Sequence, residues 1–298
     1  MSGIVPRALE HKPLLGILFV LVAYFLFSII DTSAKWLALA GLPAVQLAFM
    51  RYAGHFVISL TIISKAGGGI SRFASDRPVL TVLRGLLLVF STMLNFIAIQ
   101  YLPLTLTSTI LFLAPIMVCT LSWPILGERV GPFRAFAIFA GFVGVLIAIR
   151  PFGENMHWAV LLSLCATFTF SLYAILTRML SGVVATDTMQ FYSGLTGTVA
   201  LAPLAIPVWQ NPDGTLGWII MIGLGVFGFC GHELLTRAHG YAPASRLSPF
   251  GYSLMIYFTI AGYLVFGSVP DFWTIVGAII IVGAGLLIWA RERKHAQP

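Results

Sequence analysis

The sequence predicts an all-α membrane protein in which ten transmembrane helices form two inverted five-helix repeats. Three observations carry that prediction. The first is composition: of 298 residues, 59% are hydrophobic and 9% are charged, against roughly a quarter charged in ordinary soluble domains. A water-soluble fold of this length has no means of hiding so much apolar surface. The second is the length of the apolar runs. The third is an internal match: residues 101–127 align without a gap with residues 241–267, so that Tyr101, Pro103, Ser108, Ile116 and Gly127 recur as Tyr241, Pro243, Ser248, Ile256 and Gly267. Further on, GVLIAIR ending at Arg150 answers GLLIWAR ending at Arg291.

A spanning helix needs about 20 mostly apolar residues. Five such segments, 14–37, 43–64, 79–100, 103–126 and 132–149, fill a first repeat over 14–150. Five more, 157–180, 186–208, 216–239, 243–267 and 272–290, fill a second over 157–290. The first follows a polar stretch with Arg7, Glu10, His11 and Lys12, a pattern unlike a cleavable signal peptide. Turn-forming residues separate the rest: Gly41–Pro43, the Lys65–Pro78 segment with Gly67, Gly68 and Gly69, Pro103, Gly127–Pro132, Pro151–Asn155, Asn211–Gly214, Pro243 and Val269–Asp271. Pro115 falls in the middle of the fourth span and predicts a kink there. Barrel strands are excluded, because the runs are much longer than a strand of about 10 residues and do not alternate.

Charge sets the orientation. With a cytoplasmic N-terminus, fourteen of the seventeen Lys and Arg fall in or beside cytoplasmic segments, Arg84 among them, and only Lys35, Arg51 and Arg150 do not. The positive-inside rule then places both termini in the cytoplasm. Each repeat has an odd number of spans, so the second copy enters the membrane upside down. Inverted repeats with a site near the midplane are a common basis for alternating access. The net charge of +7 is spread between apolar runs and forms no nucleic-acid patch. Cys119, Cys165 and Cys230, all within apolar segments and without CxxC spacing, read as small buried hydrophobes.

Residues 84–151 carry a Tyr-Leu-Pro-Leu corner, an apolar span with a central proline, Leu-Gly-Glu-Arg, and a Gly-rich span ending in Arg-Pro. This resembles the EamA-type ten-helix exporters of the drug/metabolite transporter superfamily, along nearly the whole chain. In the second copy Glu128 and Arg129 give way to Ser268 and Val269. The resemblance implies a secondary transporter with no cofactor, working as a monomer in a bacterial cytoplasmic membrane on a small-molecule substrate. It also implies a cavity lined by spans 1, 3, 4, 6, 8 and 9. Relatives of this kind export aromatic and other amino acids; others carry riboflavin, S-adenosylmethionine, nucleotide sugars or drugs.

Several polar residues can do work in such a cavity. Ala23–Ser28 matches Ala166–Ser171, and in that register Lys35 matches Arg178. Tyr24, Ser28, Asp31, Thr32 and Lys35 follow i, i+4, i+7, i+8, i+11 spacing and form one stripe; Thr167, Ser171 and Arg178 form its counterpart. Lipid cannot satisfy such stripes, so they either line a water-filled cavity or act as hydrogen-bond glue between helices. Asp31 with Lys35 and Glu233 with Arg237 are i, i+4 pairs, acid first. They read as structural ion pairs, or as gate or proton-coupling groups. Arg51 lacks a local partner and has either to snorkel or to reach a carboxylate on another helix. Ser91, Asn95, Ser108, Phe112, His232 and Tyr252 add polar and aromatic groups suited to an amphipathic solute. Ala140, Gly144 and Ala148 form a small-residue stripe for helix packing.

No enzyme signature is present. His232-Glu233 lacks the second histidine of HExxH, and the Gly67–Gly69 run is not followed by Gly-Lys-Ser/Thr. The leading expectation is export of amino acids or related metabolites. The alternatives are uptake of a vitamin-like or cofactor-like solute by the same fold, and a non-transporting scaffold or intramembrane enzyme.

Overall fold

The computed structural model describes residues 12–65, 72–126, 132–150, 157–180, 183–241 and 247–295. Among them every long element is a helix and none is a strand. The first half of the chain gives α1 (Pro13–Leu39), α2 (Ala44–Lys65), α3 (Pro78–Tyr101), α4 (Leu104–Leu111), α5 (Ala114–Leu126) and α6 (Pro132–Ile149). The second half gives α7 (Ala159–Leu180), α8 (Thr186–Ala205), α9 (Gly214–Tyr241), α10 (Ser253–Phe266) and α11 (Phe272–His295). Six segments are long and apolar enough to cross a membrane: Leu14–Leu39, Ala44–Lys65, Pro78–Tyr101, Ala159–Leu180, Thr186–Val208 and Gly214–Ala238. Four shorter apolar helices accompany them, over Leu104–Val118, Ala135–Ile149, Phe250–Phe266 and Phe272–Leu287. This is a multi-pass membrane protein. The Gly67–Gly69 run and Glu128-Arg129 lie outside the described residues.

The termini of the helices follow local chemistry. Proline opens α1, α3 and α6, where its missing N–H costs nothing. The fourth span is two helices, α4 and α5, interrupted at Phe112-Leu113. Pro115 has no N–H to give to the carbonyl of Leu111, so the ladder breaks one turn ahead of it and resumes with Met117 N–H donating to Leu113 O at 2.8 Å. Within the ninth span a 3-10 turn over Ser248–Tyr252 precedes α10. Gly267 closes α10 with φ of 62°, and its N–H and that of Ser268 return to Tyr263 O and Gly262 O. Only glycine takes that left-handed geometry without steric cost.

Packing pairs helices of the first half with helices of the second: α1 lies on α9, α2 on α8, α3 on α7, α4 on α10, and α6 on α11. The α2–α9 crossing is close enough that a Cβ added to Gly54 would stand 2.8 Å from Gly225 Cα. The Ala140/Gly144/Ala148 stripe packs on α11, where a Cβ added to Gly144 would stand 2.9 Å from Gly277 O. Small residues let the backbones meet where lipid offers no hydrophobic drive for association.

One capped end gives a pH-dependent prediction. Asp271 precedes α11, accepts the Thr274 N–H at 2.6 Å on Oδ1, and pairs with Arg150 at the end of α6. Burial pushes its carboxyl up, but the Thr274 hydrogen bonds and the Arg150 guanidinium outweigh this and hold it below the usual range. A depressed folded-state pKa stabilises above the unfolded value of about 3.9, and that stabilisation is lost as pH falls through the folded value. Asp271→Ala is expected to cost about 1 kcal/mol at pH 7. Thermal unfolding in detergent should show the difference from the parent protein shrinking as the pH is lowered below about 4.

Candidate functional site

The centre of the bundle holds a polar network that joins α1, α2 and α3 to α7, α8 and α9. Asp31 on α1 accepts a hydrogen bond from Asn95 Nδ2 on α3 at 3.0 Å. Arg51 on α2 donates to Thr92 Oγ1 on α3, and its other terminal nitrogen lies 3.2 Å from His232 Nε2 on α9. Tyr52 hydroxyl shares Thr92 at 2.7 Å. Arg51 is also the cation whose charge bears on Asp31. Around this group stand the rings of Phe27, 4.9 Å from His232, and of His55, 6.2 Å from it.

Arg84 anchors the other side. It is 4% exposed and donates from Nε to Thr177 Oγ1 (2.7 Å), and from its terminal nitrogens to Met189 O (3.2 Å), Ser193 Oγ (2.8 Å) and Tyr173 hydroxyl (2.9 Å). The guanidinium also sits 4.6 Å over the Tyr173 ring, and that ring lies 6.5 Å from His232. Arg84 therefore ties α3 to α7 and α8 from inside the protein. The charge pattern along the sequence counts it with the cytoplasmic segments, and the structure shows its side chain enclosed by protein. A charge inside a span is expensive unless protein groups receive it, so an arginine within segment 79–100 was itself the missed signal. Tyr52, Thr92 and Tyr173 left no comparable trace, being ordinary residues of apolar runs.

The stripe on α1 divides. Asp31 and Lys35 do not pair. Lys35 Nζ donates instead to Leu102 O at 2.6 Å and lies 5.3 Å from the Phe266 ring. The reason is the end of α3: its last carbonyls have no helical partner and form the negative pole of the helix, which draws in a cation. Ser28 and Thr32 hydroxyls turn onto their own helix, at Phe25 O and Ser28 O, both 2.7 Å. Tyr24 faces Gly251, where an added Cβ would meet its hydroxyl at 3.3 Å. Thr167 and Ser108 also bond back, to Ser163 O and Thr105 O, both 2.8 Å. Ser171 donates to Thr167 O at 2.7 Å and lies 3.4 Å from Ala114 O. Ser91 reaches across to α7, donating to Ala166 O at 2.9 Å. Phe112 and Tyr252 meet ring to ring at 5.2 Å, at the two interrupted spans. Glu233 and Arg237 do pair, at 2.8 Å, with the arginine side chain 64% exposed and outside the central network.

A polar, charged centre shared by two sets of membrane helices is the arrangement of a protein that moves solute rather than of one that only spans the bilayer. The chain belongs to the EamA-like transporter family, whose pattern matches residues 14–150 and again 157–290. Curated relatives are transporters, not enzymes. A riboflavin transporter of Vibrio cholerae serotype O1 is 30% identical over 97% of this chain and 98% of its own. An S-adenosylmethionine uptake transporter of Rickettsia felis is 26% identical over 92% and 93%. The pseudopaline exporter CntI of Pseudomonas aeruginosa is 28% identical over 94% and 97%. A solved crystal structure aligns with TM-score 0.65 over 95% of this chain and 99% of its own, at 16% identity, which concerns the fold alone.

Proposed function

We propose that this protein is a secondary transporter that exports amino acids, or metabolites bearing an amino-acid group, across a bacterial cytoplasmic membrane by alternating access, as a monomer with both termini cytoplasmic. The observation that carries the reading is the central network, in which a carboxylate (Asp31), a guanidinium (Arg51) and the aromatic faces of Phe27, Tyr173 and His232 converge. A zwitterionic head with an apolar or ring-bearing body is the solute such a set recognises. Asn95, Phe112 and Tyr252 belong with this lining, and Lys35 at the α3–α4 corner is the gate candidate next to it.

Helix pairing supports the inverted repeat. If α1 corresponds to α7, α2 to α8, α3 to α9, α4 to α10 and α6 to α11, exchanging the halves turns the α1–α9 contact into the α7–α3 contact. The same exchange returns the α2–α8, α4–α10 and α6–α11 contacts to themselves. Two halves related in this way can trade conformations, so that the site opens to one side and then the other.

The test is flux in proteoliposomes loaded with labelled aromatic and aliphatic amino acids, S-adenosylmethionine and riboflavin. Saturable movement of at least one amino acid, competed by its unlabelled form, is expected. A second reading, uptake of riboflavin or S-adenosylmethionine, draws on the relatives of Vibrio and Rickettsia. It wins if those solutes alone are moved. Absence of flux for the entire panel would leave a non-transporting scaffold and sink both readings.

A further inference from the structure

Charge in the central network does not balance. Two guanidinium groups, Arg51 and Arg84, are set in it against one carboxylate, Asp31, and the charges of both arginines bear on His55 and His232. The four hydrogen-bond partners of Arg84 named above are all neutral. Glu233 on α9 is engaged with Arg237, and Asp187 at the start of α8 lies 3.8 Å from Arg72. The sum, two positive and one negative, leaves one positive charge unanswered among the described residues of the network.

That surplus lies beside buried polar atoms with no hydrogen-bond partner among the described residues. Arg51, His55 and Ser59 stand at i, i+4 and i+8 on α2 and so share one face of the helix. His55 is 2% exposed and Ser59 is 4% exposed. Their His55 Nε2 and Ser59 Oγ atoms are buried with no hydrogen-bond partner among the described residues. A buried polar atom left unpaired is costly, and native proteins keep few of them without a reason. Arg51 is only partly buried.

We propose that the Arg51/His55/Ser59 face of α2 is a carboxylate subsite, with Arg84 as the fixed charge behind it. The subsite names the group of the solute that is held in the transport reading above, and rests on that reading. Arg51 supplies a forked, permanently charged donor that matches the two oxygens of a carboxylate. The Ser59 hydroxyl supplies a further donor. Asp31, on the other side of Arg51, is left free to take an ammonium group when the solute has one. An anion answers the surplus charge and accepts from the unpaired Ser59 hydroxyl at once, which a neutral or cationic group does not.

The test uses binding to the purified full chain in detergent, read as the shift in Tm, with 3-phenylpropionate and 3-phenylpropionamide as probes of equal shape. The carboxylate is expected to bind about tenfold more tightly than the amide, as one charge-assisted hydrogen bond allows. Arg51→Gln should remove that preference, and Arg51→Lys, which keeps the charge but loses the fork, should retain part of it. If Arg51→Gln does not fold, the comparison of the two probes on the parent protein and on Arg51→Lys decides. Equal binding of the amide, or a preference undiminished in folded Arg51→Gln, overturns the subsite. So does failure of both probes to bind while proteoliposomes show saturable amino-acid flux, and in that case the transport reading stands. Carboxylate binding without flux of any solute does the opposite: it keeps the subsite and removes the transport reading.

Discussion

Arg84→Ala is expected to destabilise the protein by about 2–5 kcal/mol. The substitution removes a donor set from Thr177, Met189 O, Ser193 and Tyr173 in one step. Polar contacts between membrane helices average about 0.6 kcal/mol each, which for this set gives the lower bound. Leaving buried acceptors unsatisfied costs about 1–3 kcal/mol apiece, which gives the upper. Thr177 and Ser193 soften the loss, because both already bond back to their own helices, at Tyr173 O and Met189 O. Tyr173 has no such fallback in this network, and the cation over its ring goes as well. Arg84→Lys keeps a charge but cannot span four acceptors from one planar head, and should recover less than half of the loss. Unfolding in detergent, followed by tryptophan fluorescence, measures both. A change within about 0.5 kcal/mol for Arg84→Ala, the range of ordinary surface substitutions, would mean that the network is not what joins α3 to α7 and α8.

The sequence made the helices legible because their cause is local. Length and apolarity set where each span starts and stops, and the predicted edges at 132–149 and 186–208 fall where α6 and α8 with its 3-10 extension are found. Pro115 announced the break in the fourth span, since a missing N–H acts within one turn. What the sequence did not show are contacts between residues far apart along the chain. Asp31 and Lys35 have ideal i, i+4 spacing, yet each finds a better partner at α3, Asn95 for one and Leu102 O for the other. Glu233 and Arg237 have the same spacing and do pair, toward the exposed end of α9. The hydroxyls behave similarly. Ser28, Thr32 and Thr167 look like polar stripes in projection, but each, like Ser108, satisfies itself on the preceding turn, as serine and threonine readily do in helices. Charge that cannot satisfy itself locally proved the better guide: Asp31, Arg51 and Arg84 are the residues around which the helices converge.

Asp31→Asn is expected to lower pH-gradient-driven flux by about tenfold or more while leaving stability near that of the parent. The argument rests on what the substitution keeps. Asn95 Nδ2 donates to Asp31 at 3.0 Å, and an asparagine at position 31 still offers a carbonyl oxygen to accept it, so the α1–α3 contact survives. What disappears is the negative charge opposed to Arg51, and with it the one carboxyl among the described residues of the network able to take up and release a proton without disturbing a backbone contact. A loss of about 1.4 kcal/mol in the driven step is already a factor of ten. Glu233→Gln provides the contrast. Its partner Arg237 is largely exposed, and exposed i, i+4 pairs contribute about 0.3–0.5 kcal/mol, so flux and its pH dependence should change less than about twofold. Flux into proteoliposomes with and without an imposed pH gradient separates the two. Unaltered pH dependence in Asp31→Asn would make Asp31 a structural acceptor for Asn95 and move the search for the coupling group to the two histidines beside Arg51. A loss confined to Glu233→Gln would instead place the gate toward the exposed end of α9, away from the network that joins the two halves.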